Sequence, residues 1–194
     1  DMRKMGGLMR YQPITFITFF IGTLAIAGIP GLAGFFSKDL ILASAMANGH
    51  PVLWFVGVVT AGLTSFYMFR LVFMTFFGEC RADEETRHHL HESPMVMLLP
   101  LIILAILSIV GGYVGLPLHW MWGDQFSAFL QPVFGAHHGA HLSETTEIIL
   151  MAISVGVGVV GLITAFVLYV LNPKLPDRIA AAVPRAADRI ANKY

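Results

Sequence analysis

An all-α, polytopic bundle of membrane helices with one discontinuous helix is the fold class that the sequence predicts, on three observations. Hydrophobic residues fill 56% of the 194 positions and charged residues only 12%, with a mean hydropathy of +0.72, beyond what a soluble domain of this length carries. Four apolar stretches, 14–47, 52–77, 95–116 and 148–171, have the lengths of membrane spans. Inside the first, a Pro-Gly step, Pro30-Gly31, is followed by two ionisable residues, Lys38 and Asp39. The 12 basic residues balance the 12 acidic ones and form no single face, so there is no nucleic-acid footprint. A lone cysteine, Cys80, can neither close an internal disulfide nor hold an iron–sulfur cluster. The chain starts at Asp1 without a signal segment and stops at Tyr194 in mid-pattern, as expected of an internal fragment.

Residues 1–13 read as a loop. Stretch 14–47 would be about 51 Å long as one helix at about 1.5 Å per residue, too long for one plain span and short for two. Ala27-Gly28-Ile29-Pro30-Gly31 supplies the interruption. Pro30 lacks an amide hydrogen and disfavours helix at Ile29, and Gly28 and Gly31 accept unusual dihedrals, which places the break at 28–31. The remaining stretches would measure about 39, 33 and 36 Å, enough to cross a core of about 30 Å with some tilt.

Lys and Arg concentrate on the cytoplasmic side, which chooses between one interrupted crossing and two separate ones. With one crossing, Arg3, Lys4 and Arg10, then Arg81 and Arg87 in loop 78–94, then Lys174, Arg178, Arg185, Arg189 and Lys193 share a side. Segments 48–51 and 117–147, with neither Lys nor Arg, fall opposite. Four crossings follow, with both ends of the fragment cytoplasmic. Trp120 and Trp122 suit the interface beside the outer loop 117–147. From 174 to 194, Leu175, Ile179, Val183, Ala186 and Ile190 recur at helical spacing among charges, an amphipathic helix lying along the membrane or a partner and kinked at Pro184.

A bilayer tolerates an ionisable residue only where protein or trapped water receives it, so Lys38 is the first candidate for function. Desolvation disfavours a charged amine and a nearby carboxylate favours it, so Lys38 could load a proton from one side and release it to the other. Asp39 lies about 100° further round a helix and need not pair with Lys38. Backbone groups freed at 27–31 could hold water there. The alternative is a snorkelling or purely structural lysine. Ser37, Thr64, Ser65 and Tyr67 (and Thr60) are possible relay groups, although Ser and Thr in membrane helices mostly bond their own backbone. Arg70 lies within a span, where it could snorkel, pair internally or join the path.

Met5-Gly6-Gly7-Leu8, the run Gly28-Ile29-Pro30-Gly31-Leu32-Ala33-Gly34-Phe35-Phe36-Ser37-Lys38-Asp39, and Ala47-Asn48-Gly49-His50 together carry a resemblance. The chain resembles the L chain, or mitochondrial subunit 5, of respiratory complex I, the proton-pumping NADH:quinone oxidoreductase. The resemblance is strongest over 1–80 and rests on hydropathy alone beyond about 120. It implies that Lys38 ends a chain of buried charges and that 174–194 begins a long lateral helix. It further implies neighbouring membrane-arm subunits as partners, a bacterial inner membrane, and no cofactor in this chain, since flavin, iron–sulfur clusters and quinone would belong to other subunits. Two other functions stay open: a subunit of a multi-chain sodium/proton antiporter, and a non-conducting membrane scaffold.

Gly156-Val157-Gly158-Val159-Val160-Gly161 fits the dinucleotide-binding pattern GxGxxG but sits within an apolar span without a preceding strand. There, Ser154, Gly158, Gly161 and Ala165 read instead as a small-residue packing face. His88, His89 and His91, and likewise His137, His138 and His141, lack the cysteines or spacing of a metal site. Asp83-Glu84-Glu85 reads as a solvated patch.

Overall fold

The computed structural model describes residues 1–115, 125–134, 143–182 and 184. Its elements are helical: α1 (Pro13–Ala27), α2 (Ala33–Ala47), α3 (Pro51–Phe76), α4 (Glu84–His88), α5 (Met95–Val110), α6 (Gln125–Phe134), α7 (Glu144–Phe166) and α8 (Leu175–Ala182). A 3-10 segment, Gly111–Gly115, continues α5, and a π-helical turn, Val167–Leu171, continues α7. The segments Pro51–Phe76, Met95–Tyr113 and Thr145–Leu171 are each long and apolar enough to cross a membrane. The chain is thus a polytopic all-α membrane bundle.

Proline opens α1 and α3, because the first turn of a helix leaves its amides free in any case. Glycine closes α1. Gly28 takes a left-handed φ of 79°, its amide donates to the Ala25 carbonyl at 3.0 Å, and Ile29 donates to Leu24 at 3.1 Å. This is a Schellman stop, which occupies two of the last carbonyls of α1 and leaves Ile26 and Ala27 to find other partners. Leu32 is extended, and α2 starts at Ala33.

Between membrane helices there is little hydrophobic driving force, so close packing of small residues sets which helices touch. The most extensive contact joins α3 to α7. Ser154 is 1% exposed and Ala165 fully buried. A Cβ on Gly161 would come 2.5 Å from the Gly62 carbonyl oxygen, and one on Gly62 would come 2.5 Å from Val157 Cγ1. The GxGxxG match therefore lies inside a packing helix. Phe16, Phe20, Phe69, Phe73, Phe76 and Phe166 interlock where α1, α3 and α7 meet, with Phe16 and Phe76 centroids 5.2 Å apart.

Segment 117–147 is not all loop. It contains α6 and the first turn of α7, which starts before residue 148 because the Ser143 hydroxyl caps it by accepting from the Thr146 amide at 3.3 Å. Trp120, Trp122, His137, His138 and His141 lie outside the described residues, as does most of the amphipathic segment beyond Ala182 with the kink expected at Pro184.

Loop 78–94 is tied to the start of the broken helix. Glu92 accepts from the Ile14 amide at 2.7 Å and the Thr15 hydroxyl at 2.7 Å, with the Ser93 amide at 3.1 Å, and so caps α1 from a distant loop. Desolvation acts against the carboxylate, but the Thr15 hydroxyl and the surrounding amides outweigh it and hold Glu92 below the ordinary glutamate range. A carboxylate held low stabilises the fold above its unfolded-state value and loses that contribution as pH falls through its folded one. Glu92→Gln is therefore expected to lower the stability of the purified chain at pH 7 by about 1 kcal/mol, the scale of a helix cap. Thermal unfolding in detergent should show that gap narrowing below about pH 4, where wild type also becomes protonated.

Candidate functional site

The break between α1 and α2 is built around Lys38. One and a half turns into α2, its side chain folds back so that Nζ donates to the Ala27 carbonyl at 3.2 Å. That carbonyl is one of the two the Schellman stop leaves open, at the negative end of the α1 dipole, so a cation suits it. Gly28 makes the room. A Cβ there would strike Lys38 Nζ and sit 2.7 Å from Cε. Ala27 is 3% exposed, and Lys38 is half-buried.

Gly34 brings the half-helices together, since a Cβ on it would strike the Ala25 carbonyl oxygen. Gly112 does the same for the far side of α2, where a Cβ would come 2.8 Å from Ala33 Cα, and Phe36 packs on Tyr113 with centroids 5.4 Å apart. Helix α7 completes the seat: a Cβ on Gly158 would lie 3.5 Å from the Ala27 oxygen, in ordinary contact. The Ser65 hydroxyl of α3, fully buried, donates to the Gly158 carbonyl at 2.7 Å. Lysine, carbonyl, glycine and serine thus join four helices at one polar point.

Asp39 faces elsewhere. It is 8% exposed, neither carboxylate oxygen has a hydrogen-bond partner, and among the described residues the only ion pair is Arg3 with Asp1. The other sequence candidates divide. Ser37 is exposed and donates to the Ala33 carbonyl at 3.3 Å; Thr64 donates to Thr60 at 2.7 Å; Tyr67 is half exposed. None of these three makes a polar contact with Lys38 or Asp39 among the described residues. Arg70 places its guanidinium carbon 5.4 Å from the centroid of the Tyr169 ring, in the π-helical turn, a cation–π contact. Pro30 is exposed in the break and Gly31 has a φ of 89°, its nearest neighbour being the Tyr113 hydroxyl. His88, His89 and His91 are exposed. Sequence reasoning missed Ala27 as the acceptor of Lys38, Gly34 as the contact between the half-helices, and Glu92 as the cap. Gly34, a helix-weakening residue one position inside α2, was the one legible signal among them.

Comparison with known proteins places this arrangement. Residues 1–64 match the family described as NADH:quinone oxidoreductase/Mrp antiporter, TM, and residues 64–174 match the family of transmembrane segments at the complex I C-terminus of an NADH dehydrogenase chain. NAD(P)H-quinone oxidoreductase chain 5 of Picosynechococcus is 43% identical over 214 aligned residues, covering all of this chain and 32% of the relative. NADH-quinone oxidoreductase subunit L of Rhodobacter capsulatus is 44% identical over 71% of this chain and 20% of its own length. Subunit L of Neisseria meningitidis is 34% identical across the whole chain and 33% of its own length. The chain spans about a third of the length of the first of these relatives. With the two family matches meeting at Thr64 and together covering residues 1–174, the chain belongs to the antiporter-like membrane subunits of the NADH:quinone oxidoreductase family.

Proposed function

We propose that this chain is the part of a proton-translocating NADH:quinone oxidoreductase subunit that carries a proton at a helix break, with Lys38 taking it up and handing it on and Asp39 following. One observation carries the reading: the Lys38 ammonium rests on the Ala27 carbonyl, in the gap left by Gly28. An ammonium there has a single neutral acceptor, and this is a hold that deprotonation releases. Helices α1 and α2, 15 residues or about 22 Å each, form one interrupted crossing of a core of about 30 Å. Both ends of the fragment face the cytoplasm of a bacterial inner membrane, and neighbouring membrane-arm subunits and lipid surround it. Flavin, iron–sulfur clusters and quinone are held by other subunits, so each proton moved against 100 mV draws about 2.3 kcal/mol from a distant reaction.

The test uses the full-length subunit in its assembled complex in sealed vesicles. Lys38→Met is expected to leave NADH-driven quinone reduction in place while lowering the protons moved per electron. Unchanged pumping with normal assembly overturns the proposal and leaves a scaffold. The description of the family that matches residues 1–64 also names Mrp antiporters. Sodium-dependent proton exchange without NADH-driven quinone reduction would select that second reading.

A further inference from the structure

Asp39 and Ser154 are two buried polar groups left without partners on facing helices. Asp39 on α2 is 8% exposed and Ser154 on α7 is 1% exposed; neither carboxylate oxygen, nor the hydroxyl, has a hydrogen bond. The two side chains adjoin where α2 packs on α7, with the hydroxyl turned to the carboxylate. A buried polar group without a partner is costly, and a hydroxyl in a membrane helix normally avoids that by donating one turn back along its own helix. Thr18, Thr60, Thr64 and Thr164 do so, at 3.0, 2.7, 2.7 and 2.7 Å. Ser154 does not, although the Leu150 carbonyl is available to it at that spacing.

We infer that Ser154 is a positioning residue for Asp39: its hydroxyl donates to the ionised carboxylate and accepts from the protonated one. The serine is unchanged in either state, because rotation of one O–H reverses the direction of the bond. The pair gives Asp39 a partner other than Lys38. The adjacent amine and carboxylate are thereby kept on separate partners, one on the end of α1 and one on α7, instead of neutralising each other as a static ion pair. A seryl hydroxyl is also small enough for the close α3 to α7 packing on the same helix.

The inference rests on the proton-relay reading of Lys38, and the experiment separates the two. Full-length subunits carrying Ser154→Ala, Ser154→Thr, Asp39→Ala, the Ser154→Ala/Asp39→Ala pair and Lys38→Met are assembled in the complex. Protons moved per electron are measured in sealed vesicles, with NADH-driven quinone reduction scoring assembly. Ser154→Ala is expected to lose most of what Asp39→Ala loses, Ser154→Thr to recover it, and the double variant to lose no more than Asp39→Ala alone, the mark of two groups acting as a unit. Normal pumping by Ser154→Ala beside impaired Lys38→Met overturns the role of Ser154 and leaves the relay standing. Additive losses, failure of threonine to restore pumping, or loss of quinone reduction in Ser154→Ala likewise overturn it in favour of a packing role. Normal pumping by Lys38→Met removes the relay reading itself.

Discussion

Alanine in place of Gly28 is expected to uncouple proton movement nearly as fully as removal of the Lys38 amine, while the subunit still folds. Two effects coincide at this residue. The backbone is left-handed, with φ at 79°, which costs an L-residue about 1 to 2 kcal/mol. The new methyl would also occupy the space of Lys38 Nζ and lie 2.7 Å from Cε. Those atoms are the far end of a flexible chain, so the collision is relieved by moving the amine off the Ala27 carbonyl rather than by moving helices. Stability falls modestly and the seat is lost. Gly31→Ala separates the two effects: its φ of 89° carries similar strain, but the nearest atom to its Cβ is the Tyr113 hydroxyl at 3.7 Å. Proton transport per electron in sealed vesicles should fall to the Lys38→Met value in Gly28→Ala and much less in Gly31→Ala. Equal losses in the two would mean that backbone strain alone disturbs the break and that the position of the amine is immaterial.

The break was legible because its causes are local. Pro30 withholds a hydrogen bond and restrains Ile29, and glycine tolerates the conformation that ends α1; both are properties of single residues. The fold class was legible for a related reason, since apolar length decides what can cross a bilayer. The acceptor of Lys38 was not. It is a main-chain oxygen 11 residues upstream, and any residue could supply it; what selects Ala27 is the Schellman stop, which leaves that oxygen open. Glu92 was hidden by distance: 78 residues separate it from the Ile14 amide that it caps, and by itself it reads as one more loop charge. Ser154 was visible only as a small residue. Among the relay candidates, Ser65 alone proved to bridge helices, and Thr64 took the intrahelical bond that threonine usually takes.

Gly34→Val is expected to have the largest effect on assembly. A Cβ at Gly34 would strike the Ala25 carbonyl oxygen and come 2.9 Å from the carbonyl carbon. Both atoms belong to the backbone of α1, so no rotamer change relieves the contact and the half-helices must separate. Separation withdraws Ala25 and Ala27, which are 6% and 3% exposed, from the packing that holds the Lys38 seat. Overpacking of a side-chain interior costs about 1 to 3 kcal/mol, and a collision with main chain exceeds that because nothing nearby can yield. Lipid cannot compensate, since close van der Waals contact is what joins helices in a bilayer. Gly22→Ala is the matched control: Gly22 also lies inside a half-helix, its Cβ would meet nothing within 4 Å, and alanine favours helix there by up to about 1 kcal/mol. Native electrophoresis of membranes from the two variants should show assembled complex in Gly22→Ala and little or none in Gly34→Val. Full assembly of Gly34→Val with normal pumping would show that α1 and α2 need not touch, and the geometry that places Lys38 on Ala27 would then have lost its cause.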